Sequence, residues 1–169
     1  MGWSLLILAA LVAIIAGYFM LVGPKNVWQQ MYGSPDLGPF TLAELQRNSR
    51  PNDGLLCTPG ACPEGIKSDG DLPAFDTAPA ELLEELKTRV AETGEEFELV
   101  SDTPDDGTVR YVTWTPTMGF PDTNQFWAVE MPDGKTGLVA YARAQVGYSD
   151  AGNNLKRLKR WTALLSNED

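Results

Sequence analysis

The sequence contains no histidine. Histidine is the commonest general base in enzymes, a frequent zinc ligand and the usual ligand of haem iron. Catalysis by serine–histidine or cysteine–histidine pairs is therefore excluded within this chain. Its two cysteines, Cys57 and Cys62, are too few to complete a four-ligand zinc site. We expect no metal site, no cofactor and no enzyme of these classes.

Positive charge is also scarce, with 13 Lys and Arg residues against 23 Asp and Glu residues and a net charge of −10. Proteins that bind nucleic acids present a basic face, because the release of counterions from phosphate drives their affinity. We therefore expect no nucleic-acid partner. An acidic domain is also not attracted to anionic lipid headgroups. Attachment to a membrane would have to come from a hydrophobic segment.

Such a segment runs from Trp3 to Val22, and it carries no charged residue. Its 20 residues, in an α-helix, would span about 30 Å, which is the thickness of the hydrocarbon core of a bilayer. Trp3, Tyr18 and Trp28 resemble an interfacial aromatic belt. A cleaved signal peptide is the alternative, but a basic leading region and a small-x-small cleavage site are missing. We predict a retained transmembrane anchor over residues 1–23, which contacts membrane lipid.

The orientation of this anchor rests on two opposing signals. Lys25, Arg47 and Arg50 follow the helix and favour a cytoplasmic domain, although long domains cross the membrane largely regardless of charge. Cys57 and Cys62 enclose a Pro-Gly turn that favours a disulfide, and disulfides persist in oxidising compartments. A redox pair is less consistent with four intervening residues, because thioredoxin-like motifs have two. We predict a single-pass inner-membrane protein whose C-terminal domain lies in the periplasm.

The remaining chain predicts an extended linker and one α+β domain. Residues 24–72 are rich in Pro, Gly, Asn and Asp, and they contain the Cys57–Cys62 loop. Within them we predict a short helix at 41–47. Residues 73–169 predict a four-stranded antiparallel sheet with two helices packed on one face. The first helix starts near Thr77 and buries a leucine-rich face. The predicted strands and last helix are 96–101, 108–116, 124–131, 137–146 and 150–165.

The last predicted strand has two unlike faces. Leu138, Ala140 and Ala142 share one face, and their small side chains would let helices approach closely. The other face presents Tyr141 and Arg143 and needs a cover, which the linker, a ligand or another protein would supply. We expect the linker to supply it.

Several motifs lie close to this strand. They are LLCTPGAC, the Phe120-Pro121-Asp122 corner, and the run from Arg143 through GYSDAGNN to Arg157 and Trp161. Together these motifs resemble the bacterial and plastid family named only as domain of unknown function 1499, over roughly residues 50 to 165. The resemblance implies an extracytoplasmic domain, because many members carry an N-terminal membrane segment or export signal. It implies no catalytic residues.

Polar residues of these motifs form the candidate site: Asp122, Arg143, Ser149, Asp150, Asn154 and Arg157. In one interpretation they cap the last helix and tie it to the Phe120-Pro121-Asp122 corner. In a second they converge as a pocket for a small anion or a lipid headgroup. A third makes Asp122 and Asp150 the acid–base pair of a weak hydrolase.

The lack of catalytic signatures favours a membrane-anchored, non-catalytic interaction module. We predict an accessory subunit of a larger integral membrane protein complex, such as a respiratory or photosynthetic one. Four small residues, Ala9, Ala13, Ala16 and Gly17, would allow close helix–helix contact with that partner. The alternative is an envelope module that binds a lipid or a small anion on its sheet face.

Overall fold

The computed structural model describes residues 2–165. Met1 of the predicted anchor and residues 166–169 of the predicted domain lie outside the described residues. The described chain is α+β, with an antiparallel sheet and an apolar N-terminal helix. Its elements are α1 (Gly2–Val22), α2 (Pro24–Tyr32), β1 (Asp53–Cys57), α3 (Pro79–Glu92), β2 (Phe97–Thr103), β3 (Thr108–Trp114), β4 (Pro121–Glu130), β5 (Thr136–Ala144) and α4 (Asn153–Ala163).

The sheet has five strands in the order β1-β5-β4-β3-β2, whereas the sequence predicts four. The additional strand, β1, lies in the segment predicted as a linker and pairs with β5, with Leu55 opposite Tyr141. Four of its five residues are buried, so both of its faces carry buried positions. A strand buried on both sides lacks the alternation of polar and apolar residues that identifies a half-exposed strand.

One face of the sheet, which we call the helix face, is covered by α3 and α4. The predicted apolar stripe of α3 is confirmed, because Leu82, Leu83, Leu86 and Val90 are all fully buried. The small residues of β5 also lie in this core, as predicted. The core additionally contains Tyr111, Phe126, Leu138, Ala140, Ala142, Leu158 and Trp161.

The opposite face, which we call the linker face, is covered by the chain preceding β1 and by the cysteine loop. Phe40 packs edge-on against Tyr141, with ring centroids 5.0 Å apart, and Leu45 is buried beside them. Cys57 and Cys62 form the predicted disulfide, with their Cα atoms 5.5 Å apart. The expected self-coverage by the linker is therefore confirmed.

Two local predictions in the linker differ from the structure. Pro24–Tyr32 forms helix α2, because Gly23 breaks the apolar helix at φ 83° and Pro24 then occupies a first-turn position that needs no N–H donor. The predicted helix at 41–47 is reduced to a 3-10 turn at Leu42–Glu44. Leu45 has extended backbone angles there, and its burial on the sheet accounts for the early end of the helix.

Helix α1 is long and apolar enough to cross a membrane, and none of its apolar window is buried in the fold. Helix α2 folds back towards α1, since the Tyr18 hydroxyl donates a hydrogen bond to Gln30 Oε1 at 2.6 Å. In a straight helix these two residues would lie about 18 Å apart along the axis. The apolar helix and the domain are therefore joined by a sharp turn.

Gly54 of β1 is needed for the close approach of α4 to the sheet. A Cβ at this position would lie 2.9 Å from the backbone N and Cα of Leu155. We expect Gly54→Ala to destabilise the fold by about 1–3 kcal/mol, because backbone atoms cannot move aside as a side chain can. Chemical denaturation of the purified protein measures this loss.

Gly70→Ala is the matched control for this prediction. Its Cβ would meet only the Leu56 Cδ2 atom, at 3.2 Å, and that flexible side-chain end has room to shift. Equal losses for the two substitutions would contradict the proposed helix–strand contact.

Candidate functional site

Arg157 and Asp122 form a buried ion pair between α4 and the start of β4. Arg157 Nη2 donates to Asp122 Oδ2 at 2.8 Å, and the two side chains are 9% and 2% exposed. Arg157 lies in the second turn of α4, and Asp122 is the second residue of β4. The pair therefore fixes the beginning of the last helix over the centre of the sheet.

The same guanidinium also binds two buried asparagine side chains. Arg157 Nη1 donates to Asn154 Oδ1 at 2.8 Å and to Asn124 Oδ1 at 3.1 Å. The Asn124 amide in turn donates to Thr113 Oγ1 at 3.0 Å. A buried cation needs such acceptors, because burial has removed its water. Strands β3 and β4 and helix α4 are thus joined through one side chain.

Asn52, just before β1, extends this network to the edge of the sheet. Its carbonyl oxygen accepts from Asn154 Nδ2 at 3.2 Å, and its own Nδ2 donates to the Gly147 carbonyl oxygen at 3.0 Å. Sequence analysis did not identify Asn52 or Asn124 as site residues. Asn52 follows a proline in a loop-like segment, where asparagine is an ordinary turn residue. Its role depends on a contact between residues 102 positions apart.

Asp150 and Ser149 lie in the turn before α4. Asp150 Oδ2 accepts from the backbone N–H of Asn154 at 2.7 Å, and its Oδ1 accepts from that of Gly152 at 3.0 Å. Ser149 Oγ accepts from the Ala151 N–H at 3.2 Å. Of these contacts, the one to Asn154 satisfies an N–H of the first helical turn, whereas the other two lie in the turn before the helix. The N-cap position itself is held by Gly152, which makes no side-chain capping bond. The helix begins at Asn153, three residues later than predicted, because Ala151 and Gly152 adopt left-handed backbone angles.

Arg143 does not join this network, so the six predicted site residues do not converge on one pocket. It pairs in register with Thr123 on the linker face, whereas Asp122 and Ala144 lie on the helix face. The physical reason is that successive residues of a strand point to opposite faces. Among residues 2–165 the buried Nε atom of Arg143 has no hydrogen-bond partner.

Burial raises the pKa of the Asp122 carboxyl above its ordinary value of 3.8, while the charge of Arg157 and its hydrogen bond act in the opposite direction. The negative charge of Asp150 adds a smaller upward contribution. Both carboxylates of the proposed hydrolase pair are thus engaged, Asp122 by a guanidinium and Asp150 by backbone amides.

A cavity of about 500 Å³ lies beside the ion pair, between α4 and the end of β3. Its lining includes Trp114, Arg157, Arg160 and Glu95, and each of its charged side chains is already paired. Arg160 Nη2 lies 2.7 Å from Glu95 Oε1, and Glu96 pairs with Lys25 of α2. An anion bound here would compete with these carboxylates for the two guanidinium groups. Among the described residues, no group of three or more Cys, Asp or Glu side chains is placed to hold a metal ion.

Two further arginines, which the sequence motifs did not indicate, form ion pairs that hold the linker on the linker face. Arg110 of β3 binds Asp36 through Nε at 3.1 Å and Nη2 at 3.0 Å. Arg47 binds Asp53 through Nε at 3.0 Å and lies 2.9 Å from Asp69, and these carboxylates raise its pKa. The first pair joins residues 74 positions apart, and local patterns carry no signal for such a contact.

These features define a small α+β domain that is organised around a buried arginine and follows an apolar N-terminal helix. The chain belongs to the family described as protein of unknown function (DUF1499), whose model matches residues 61–165. The resemblance drawn from the motifs is therefore confirmed, although the match begins after Cys57. No curated protein matches the chain.

Removal of the Arg157 side chain should change how the stability of the fold depends on pH. Arg157→Met should cost about 3–5 kcal/mol at neutral pH, because it leaves the Asp122 carboxylate buried without a counter-charge. Loss of the guanidinium also raises the folded-state pKa of Asp122 further. The folded state then binds a proton more readily than the unfolded state, so stability falls as pH rises from 3.8 through the raised pKa. The deficit relative to the natural protein should therefore shrink as the pH is lowered.

Denaturation of both proteins across this pH range measures the effect. Arg160→Met is the matched control: the Arg160 side chain is 55% exposed, and the loss should stay below about 1 kcal/mol without the same pH trend. A deficit of Arg157→Met that does not change with pH would show that its cost comes from lost packing alone.

Proposed function

We propose that the protein is a membrane-anchored, non-catalytic interaction module that serves as an accessory subunit of a larger integral membrane protein complex, such as a respiratory or photosynthetic one. The observation that carries the proposal is the exposure of α1. Its apolar window from Trp3 to Val22 has no buried residue, and Leu5, Leu6 and Ile14 are each 67% exposed. An apolar surface of this extent needs lipid or another protein around it.

The small residues of α1 offer a contact for a second helix. A Cβ built on Gly17 would meet no atom of the described residues within 4 Å outside the neighbouring backbone of its own helix, so the space beside this glycine is open. Glycine and alanine let helix backbones approach closely in membranes, where packing and not the hydrophobic effect drives association. Ala13, one turn before Gly17, lies on the same side of the helix.

The domain itself supports a structural role and not a catalytic one. The carboxylates of the candidate site are engaged by Arg157 or by backbone amides, and the linker face is covered by the chain. The Cys57–Cys62 disulfide favours an oxidising compartment, which supports placing the domain on the periplasmic side of the inner membrane.

Replacing Ala13 and Gly17 together by leucine tests the proposal. The two added side chains would separate closely packed helices, and overpacking of about 1–3 kcal/mol per position lowers affinity tenfold or more. We expect the natural protein to co-purify in stoichiometric amount with one integral membrane complex from native membranes in mild detergent. The double variant should lose this partner, as quantified by mass spectrometry with cross-linking.

Leu11→Phe is the control, because it adds bulk on the opposite side of α1. It should leave co-purification unchanged. Thermal unfolding of the domain should be the same for all three proteins, since Gly17 has open space around it. Unchanged association of the double variant would mean that α1 only tethers the domain, and the accessory-subunit proposal would then be wrong.

A further inference from the structure

An apolar groove runs between α1 and the loop that joins β3 to β4. Its volume is about 620 Å³, and no charged residue lines it. The wall on α1 consists of Val12, Ile15, Ala16, Phe19 and Met20, and Thr117 and Met118 of the loop form the facing wall. At the domain end the groove closes on Gly23 and Pro24.

The loop is fixed against the anchor by aromatic contacts and one hydrogen bond. Trp28 Nε1 donates to the Met118 carbonyl oxygen at 2.6 Å. The Trp28 ring lies 4.8 Å from the Phe120 ring and 5.5 Å from the Phe19 ring, between centroids. A Cβ on Gly119 would lie 3.0 Å from the Cβ of Pro24, so loop and helix junction are closely packed. Both walls of the groove are therefore held in place by packing within the fold.

The depth of this groove in a membrane follows from the length of α1. The stretch from Val12 to Gly23 covers about 16 Å of helix, which is about half of the ~30 Å hydrocarbon core and thus the depth of one leaflet. Tyr18, Lys25 and Trp28 lie close in sequence to its domain end at Gly23 and Pro24, as aromatic and basic residues do at a membrane interface. Met118, which is 44% exposed, then lies at the level of that interface.

We infer that this groove holds one acyl chain of a bilayer lipid and that the Met118 loop is a second membrane-contacting element of the protein. The inference rests on the proposed function only in taking α1 as the membrane anchor. An extended peptide is a poor occupant, because the apolar lining would leave its backbone groups unpaired. A second helix is a poorer occupant than an acyl chain, because Gly17, with open space beside it, is not among the lining residues.

The loop position is tested on the full chain in vesicles of phosphatidylethanolamine and phosphatidylglycerol. A single thiol-reactive fluorophore is placed at Met118→Cys, with the native cysteines protected in their disulfide. Lipids that carry a quencher near the headgroup should quench it several-fold more than the same fluorophore at Tyr148→Cys, a position that is 72% exposed in the turn before α4.

A label at Ile14→Cys tests independently whether α1 is inserted in the bilayer. It should be quenched by lipids that carry the quencher deep in the acyl chain. Quenching at Ile14 without quenching at Met118 overturns the inference and leaves the anchor intact. No quenching at Ile14 overturns the membrane anchor and the inference together.

The acyl chain is tested by native mass spectrometry of protein released from the same lipids in mild detergent. Ala16→Phe fills the groove, whereas Ala10→Phe adds the same bulk to α1 outside the groove lining. The natural protein and Ala10→Phe should retain one phospholipid, and Ala16→Phe should lose it. Equal retention by both variants overturns the inference, as does a groove occupied only by detergent or by a second copy of the chain.

Discussion

The arrangement of the domain depends on the hydrogen bonds made by the buried side chain of Arg157. Three of its hydrogen bonds, to Asp122, Asn124 and Asn154, join the last helix to the middle of the sheet. Through Asn154 the network continues to the chain that enters β1. A buried charge is stable only while such partners are present, so the helix, the strand ends and the edge strand must assemble together. The polar motifs of the sequence are explained by this requirement.

The carboxylates of the candidate site are part of the same arrangement: Asp122 binds the Arg157 guanidinium, and Asp150 binds backbone N–H groups at and just before the start of α4. The other sheet face is closed by the linker, whose ion pairs involve Arg110 and Arg47. Among the described residues, most of the exposed large hydrophobic side chains lie on α1, next to the apolar groove. The proposed roles of the protein therefore lie at the membrane end of the molecule, in contacts with helices and lipid.

Helix α2 and the β3–β4 loop set the relation between these two parts. The turn at Gly23 brings Trp28 between Phe19 of the anchor and Phe120 of the domain. A flexible linker would leave the domain free to move relative to α1, but here the linker is bound along the sheet. A rigid connection of this kind suits a subunit that must meet a partner in a defined orientation.

Sequence patterns were sufficient to predict the apolar helix, the disulfide, the apolar stripe of α3, the alternating strands after residue 96 and the family. These features depend on local spacing and composition, which act over a few residues. Three others could be learned only from the folded chain: Asp53–Cys57 is a strand, Arg143 lies on the opposite face of the sheet from Arg157, and Asn52 belongs to the buried network. Those outcomes depend on register and on contacts between distant residues, because burial on both faces removes alternation and a shift of one residue reverses the face.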